Sequence, residues 1–286
     1  MNGKRENHDA NHTILAIVTP LLSQIVNVGQ LLKPTMNQGI SRSVSLASGN
    51  RHWLRIWCCV VSTAACGWSI GELRGAEAPG STGPLFHEAT NQFKAMTTTL
   101  YQHQTRVDRT TGSYRYDCVG FVSCALKEVA PQARESAFKA LGIKPGRIPS
   151  PPQYRAFFAS LADNPQPGWQ AVTKVSDLRP GDVVVWEFKT KTTTGHAVVI
   201  GGVPVAGPDG AWVVEVYDST ASPHGEDSRP NDQRAEVLAT NGKRSGLGRG
   251  LMAFTAAPAT GALSGYRWSP KSKTQTVPIA AGRPTS

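Results

Sequence analysis

After Pro79 the chain holds two cysteines and four histidines, and one of each stands where a nucleophile and its base can be held. Cys118 lies in Ser113–Leu126, which reads S-Y-R-Y-D-C-V-G-F-V-S-C-A-L. Asp117 is a good N-cap residue, and Val119, Val122, Ala125 and Leu126 recur behind it at helical spacing. The pattern predicts a helix with Cys118 in its first turn. There, unpaired backbone N–H groups and the positive end of the helix dipole favour negative charge, so a thiol yields its proton more readily. Gly120 leaves room for another segment to approach the sulfur. Without partners, Cys118 reads as a buried structural cysteine, a small hydrophobe. Cys124 faces another side of the helix and reads as core filler. About 9 Å of helix rise separates the two Cα atoms, too far for a disulfide.

A nucleophilic thiolate needs an imidazole within hydrogen-bond reach and a third polar group that orients the imidazole. His196 follows Gly195 and opens a predicted strand, so a sheet end can hold it rigidly. Asp218 ends the strand predicted over Trp212–Asp218, which returns toward His196. Alternation puts Val214, Val216 and Asp218 on one face and Val213, Glu215 and Tyr217 on the other, so Glu215 points away if Asp218 points in. The hairpin register is open at this level, and Glu215 and His224 remain alternatives for the third position. His224 reads as a solvated loop residue, and so do His87 and His103 at the ends of a predicted helix. The histidines show no ligand spacing and the cysteines no Cys-x-x-Cys, so neither metal nor cofactor is expected.

The elements that must position these groups follow from periodicity. Leu85–Tyr101 has apolar residues at three- and four-residue steps and predicts an amphipathic helix, followed by a polar loop over Thr105–Ser113. The nucleophile helix runs to about Val129 and is closed by Pro131. Short helices are predicted over Ala133–Gly142 and Tyr154–Leu161, with Tyr154, Phe157 and Phe158 packing on the core. Strands are predicted over Val183–Phe188, from Gly195, over Trp212–Asp218, and at Gly250–Thr255 and Gly265–Trp268. The tail, residues 269–286, is polar and Pro-rich and is expected to be disordered.

The chain of 286 residues carries a net charge of +10. After Pro79 the balance is 23 basic against 16 acidic residues, a surplus of +7 that suits an anionic polymer or surface. No basic cluster is interleaved with aromatics, so nucleic acid is not an expected partner. Residues 51–78 have the build of a secretory signal, with Arg51 and Arg55 ahead of 16 uncharged residues and Ala76-Glu77-Ala78 as a cleavage site. Residues 1–50 read as an extension, with Met36 a candidate start, and residues 79–84 as a linker. Three of the five cysteines lie in the signal, so the exported form keeps only Cys118 and Cys124. An exported protein with unpaired cysteines points to one used for chemistry. The mature chain is expected to have no stable membrane span and to act as a monomer.

Three blocks together resemble the NlpC-type cell-wall cysteine peptidases: Asp-Cys-Val-Gly-Phe at 117–121, Leu-Arg-Pro-Gly-Asp-Val-Val at 178–184 and Gly-His-Ala-Val-Val-Ile-Gly at 195–201. The resemblance covers about Phe86–Trp268. It implies an α+β, papain-like domain over residues 85–268, its nucleophile helix packed on an antiparallel sheet of about five strands, with an insertion over about 131–172. It implies Cys118 as nucleophile, His196 as base and Asp218 as orienting residue, acting on an amide bond of a peptidoglycan stem peptide in the periplasm or envelope. Tyr114 or Tyr116, just upstream of the nucleophile, is implied in substrate binding. The 78-residue interval from Cys118 to His196 and an Asp in the third position depart from the family pattern. A related acyltransferase or amidase, and a non-catalytic envelope-binding module of the same fold, are the alternative readings.

Overall fold

The computed structural model describes residues 82–285 apart from 189, 191–193 and 208, so the predicted signal and N-terminal extension lie outside the described residues. Four helices are present there: α1 (Pro84–Ala95), α2 (Cys118–Val129), α3 (Pro131–Ala140) and α4 (Pro151–Ser160). The strands, in chain order, are β1 (Thr98–Tyr101), β2 (Arg106–Asp108), β3 (Ser113–Tyr116), β4 (Trp169–Val172), β5 (Val183–Glu187), β6 (Gly195–Ile200), β7 (Val205–Ala206), β8 (Ala211–Thr220), β9 (Val237–Leu238), β10 (Lys243–Arg244), β11 (Gly246–Ala256), β12 (Leu263–Arg267), β13 (Gln275–Thr276) and β14 (Ile279–Pro284). The architecture is α+β. No described helix is long and apolar enough to cross a membrane.

The main sheet has nine strands in the order β13-β12-β11-β8-β6-β5-β14-β4, with β7 paired to β8, and every pairing is antiparallel. That exceeds the five strands expected. Alternation sorts its side chains: Val183, Val185, Ala197, Val199 and Tyr217 join the helices in one core, whereas Val184, Trp186, Val198, Ile200, Val214 and Val216 join a second core on the other face. With both faces covered, β5 and β6 read as continuous apolar runs.

Three expectations are corrected. The tail is not disordered: β14 pairs with β5 through Ile279↔Trp186 and Ala280↔Val185 and also carries β4. Its small residues hid it, yet they are required, since a Cβ on Gly282 would stand 2.6 Å from the Phe158 ring. Arg283 on β14 pairs with Asp182 of the Leu-Arg-Pro-Gly-Asp block at 2.7 Å. Burial pushes the Asp182 carboxyl up, and Arg283 partly offsets it. Second, α1 stops at Ala95, because Met96 turns extended and the β-branched Thr98 and Thr99 open β1. Third, the expected loop before Cys118 holds β2 and β3, which with β1 form a separate sheet in the order β1-β3-β2. The 131–172 block supplies α3, α4 and β4. Tyr154, Phe157 and Phe158 are buried in it, and Trp169 Nε1 donates to the Ala133 carbonyl at 2.6 Å.

Candidate active site

The helix start forms as the sequence dictates. Asp117 has extended backbone and caps α2, its Oδ1 accepting the Gly120 N–H at 2.8 Å. Cys118 is therefore the first residue of α2, and it is 4% exposed. Gly120 is obligatory here: a Cβ would stand 2.5 Å from Thr105 Oγ1 and 2.9 Å from the Tyr116 Cβ. This is the close approach that its glycine anticipates, made by the β1–β2 loop.

His196 is the second residue of β6, and Trp186 stands opposite it on β5. Its Nε2 lies 2.6 Å from Asp218 Oδ2, and the ring also hydrogen-bonds Cys118. With Nε2 committed to Asp218, Nδ1 is the nitrogen left for the sulfur. Burial alone disfavours the imidazolium. The charge of Cys118 and the bonds to Asp218 and Cys118 outweigh it and raise His196 to about 9.

Asp218 is fully buried on β8. The register Val199↔Tyr217 and Ile200↔Val216 sets β8 beside β6, and alternation turns Asp218 to the His196 side. Glu215 points the other way and binds Arg249 at 3.0 Å, so it takes no part. Burial opposes the Asp218 charge, but Arg229, His224 and His196 hold its carboxyl well below the usual carboxylate range.

His224, read from the sequence as solvated, is buried in the site. Its Nε2 lies 2.9 Å from the same Asp218 Oδ2. Arg229, which sequence reasoning missed, is buried beside it. It bonds Asp218 Oδ1, the Asp218 carbonyl at 2.7 Å, the Gly246 carbonyl at 2.7 Å and Asp227 Oδ2 at 2.6 Å. The signal for both was the pair Gly248 and Gly250 on β11, two glycines on one face of a strand, which opens that face to close approach. Gly248 pairs with Asp218, and a Cβ there would stand 2.7 Å from the Arg229 guanidinium. At Gly250 a Cβ would be 3.0 Å from the His224 Cβ.

Tyr114 and Tyr116, implied by the resemblance in substrate binding, are packed in the core beneath the helices. Both are buried, and the Tyr116 hydroxyl donates to Gln92 Oε1 at 2.9 Å, in a chain continued by Gln92 to Glu88 at 2.8 Å and by Arg109 to Glu88 at 2.7 Å. The tyrosine near the sulfur is Tyr101 at the end of β1. Burial first, then the charges of Cys118, Asp117 and Asp218, raises its hydroxyl. No sequence periodicity marked it, because its strand was read as helix.

A cleft of about 750 Å³ opens at the start of α2, lined among others by His103, Thr105, Arg147, Ile148 and the two neighbours of Cys118, Asp117 and Val119, while Cys118 and His196 themselves lie behind its lining. One wall is the β1–β2 loop and the other is the α3–α4 connection, so the 131–172 block shapes the entrance. His103 stands at the rim, 3.3 Å from Asp117 Oδ2.

His196, Asp218 and His224 bring three ligand-type atoms within 4.8 Å of one another. Both imidazole nitrogens sit at hydrogen-bond distance on one carboxylate oxygen, and Arg229 holds the other. Metal ligands stand about 2.0–2.2 Å from a shared ion, and a cation placed here would meet a guanidinium that already neutralises the carboxylate. The arrangement is a hydrogen-bonded acceptor with three donors.

Chemically, the set offers a sulfur nucleophile, a base in contact with it and a buried carboxylate that fixes the base. Comparison of the chain with protein-family models, with curated proteins and with solved structures found no match in any of the three.

Proposed function

We propose that this chain is an exported cysteine hydrolase of the NlpC type that cleaves an amide bond in a peptidoglycan stem peptide. The observation that carries this reading is the continuous contact Cys118–His196–Asp218 at the start of α2, beside an open cleft.

In the proposed reaction the Cys118 sulfur, its proton already held on His196 Nδ1, attacks the amide carbonyl carbon, and the carbonyl electron pair moves onto oxygen. The Cys118 backbone N–H at the helix start receives that oxyanion, with the Tyr101 hydroxyl as second donor. Collapse re-forms the carbonyl, breaks the C–N bond and passes the His196 proton to the departing amine, leaving a thioester. Water attacks the thioester while His196 takes its proton, and sulfur departs as the thiolate, releasing the acid. Asp218 holds the imidazole so that Nδ1 faces the sulfur, and stabilises its charged form. Substrate class and location are supported by the mixed cleft lining (Arg147, Asp117 and apolar Ile148), by the +7 surplus after Pro79 and by the signal-like residues 51–78.

The test is digestion of purified cell wall with mass spectrometry of the products. Soluble peptides with a new amine and a new carboxylate are expected from the native chain, and none above background from Cys118→Ala. Full activity of that variant would remove Cys118 from the role. Material recovered from the envelope is expected to begin at or near Pro79.

A further inference from the structure

His224 makes contacts that a loop histidine does not need. Its side chain is fully enclosed, Nε2 lies 2.9 Å from Asp218 Oδ2, and Nδ1 lies 3.1 Å from the Trp268 carbonyl oxygen. A carboxylate and a carbonyl are both acceptors, and a neutral imidazole has only one N–H. The ring satisfies both contacts only with hydrogen on each nitrogen.

The surroundings are consistent in charge. Asp218 on β8 and Asp227 in the following loop are negative, and Arg229 is positive and bonded to both. Asp227 also accepts the His224 backbone N–H at 2.8 Å. A doubly protonated His224 brings these four side chains to zero net charge. His196, 6.3 Å away ring to ring, and Cys118 beyond it then carry their exchangeable proton against a neutral background. The Trp268 ring packs tilted against His224 at 4.2 Å and reaches His196 at 5.2 Å, and its indole N–H donates to the Pro223 carbonyl at 2.8 Å.

We infer that His224 is a positioning residue for the Cys118–His196 pair: it donates from both ring nitrogens, shares Asp218 Oδ2 with His196 and anchors Trp268 against the His196 ring. This rests on the reading of Cys118 and His196 as a working pair, but not on any substrate. The cation beside Asp218 draws on the carboxylate charge that would otherwise serve His196 alone. His224 therefore restrains the basicity of His196 while it fixes the carboxylate that aims it.

The experiment is nuclear magnetic resonance of the chain with ¹⁵N-labelled histidine rings, followed across pH. Near neutral pH both His224 ring nitrogens are expected to carry a proton. In His224→Gln, which keeps an N–H donor without the charge, the His196 titration midpoint is expected to rise by about one unit. His224→Leu, which removes the donor as well, is expected to slow Cys118 alkylation several-fold further than His224→Gln does. A bare ring nitrogen on His224 near neutral pH, or an unmoved His196 midpoint in His224→Gln, overturns the inference. The native spectrum decides it even if neither variant folds. Because no substrate enters these measurements, inactivity on cell wall would overturn the proposed function and leave this result standing.

Discussion

The Ser219 hydroxyl donates a 2.6 Å hydrogen bond to the Tyr116 carbonyl oxygen, joining the neighbour of Asp218 to the residue that leads into Asp117 and Cys118. Both residues are buried. Across 103 positions of chain, this one contact sets β8 against the start of α2. Through it the segments that carry the acid and the nucleophile share a frame.

Ser219→Ala removes one of two donors to the Tyr116 carbonyl, which keeps the Gln102 backbone N–H at 3.3 Å, a loss of about 1 kcal/mol. Urea unfolding is expected to show a lowered midpoint of that size, and alkylation of Cys118 is expected to slow in the folded protein. An unchanged midpoint would mean that the contact does not hold the two elements together.

The pH dependence follows from His196, raised to about 9 from an ordinary value near 6.5. A group with a raised folded-state value contributes stability that is fully present below about 6.5 and is lost as pH climbs through about 9. Unfolding free energy is expected to fall across that window, and amide cleavage is expected to decline on the alkaline side near pH 9. Asp218→Asn removes the charge that helps hold the imidazolium, so both declines are expected to move to lower pH. A profile that does not move would take Asp218 out of the role.

Gly248→Ala forces a Cβ to within 2.7 Å of the Arg229 guanidinium, which has no free space to yield into. Overpacking of this kind costs about 1–3 kcal/mol. The expected result is a destabilised chain with reduced thiol reactivity, because Arg229 is displaced from Asp218. A native-like Tm would show that the Arg229 seat is loose.

The two classes of tyrosine separate under substitution. Tyr101→Phe deletes a hydroxyl beside Cys118 and is expected to lower kcat about 10²-fold with little change in Tm. Tyr116→Phe leaves Gln92 Oε1 without its donor and is expected to cost about 1 kcal/mol of stability with kcat nearly unchanged. The reverse pattern would return Tyr116 to the substrate side.

Prolonged chelation is expected to leave wall digestion and the His196 titration unchanged, since the ligand-type atoms of His196, Asp218 and His224 are occupied by one another and by Arg229. Loss of activity that zinc restores would make the cluster a metal centre.

What the sequence alone determined is local in origin. Asp117 before an apolar 3.6-residue period places Cys118 at a helix start, because cap chemistry and helix periodicity act within a few residues. Period-two alternation put Asp218 and Glu215 on opposite faces of one strand, and the strand register of the fold then turned Asp218 to His196. Only the tertiary structure decided the rest of the site. His224 and Arg229 reach Asp218 because Gly248 and Gly250 on β11 vacate the space beside it, and the effect of an absent side chain appears only when another segment fills it. Tyr101 lies near Cys118 because Thr98–Tyr101 leave the helical pattern and pair with Ser113–Tyr116, a choice made by strand partners. The tail became β14 for the same reason: Ile279–Pro284 has little strand character of its own, and β4 and β5 on either side supply the hydrogen bonds that make it one.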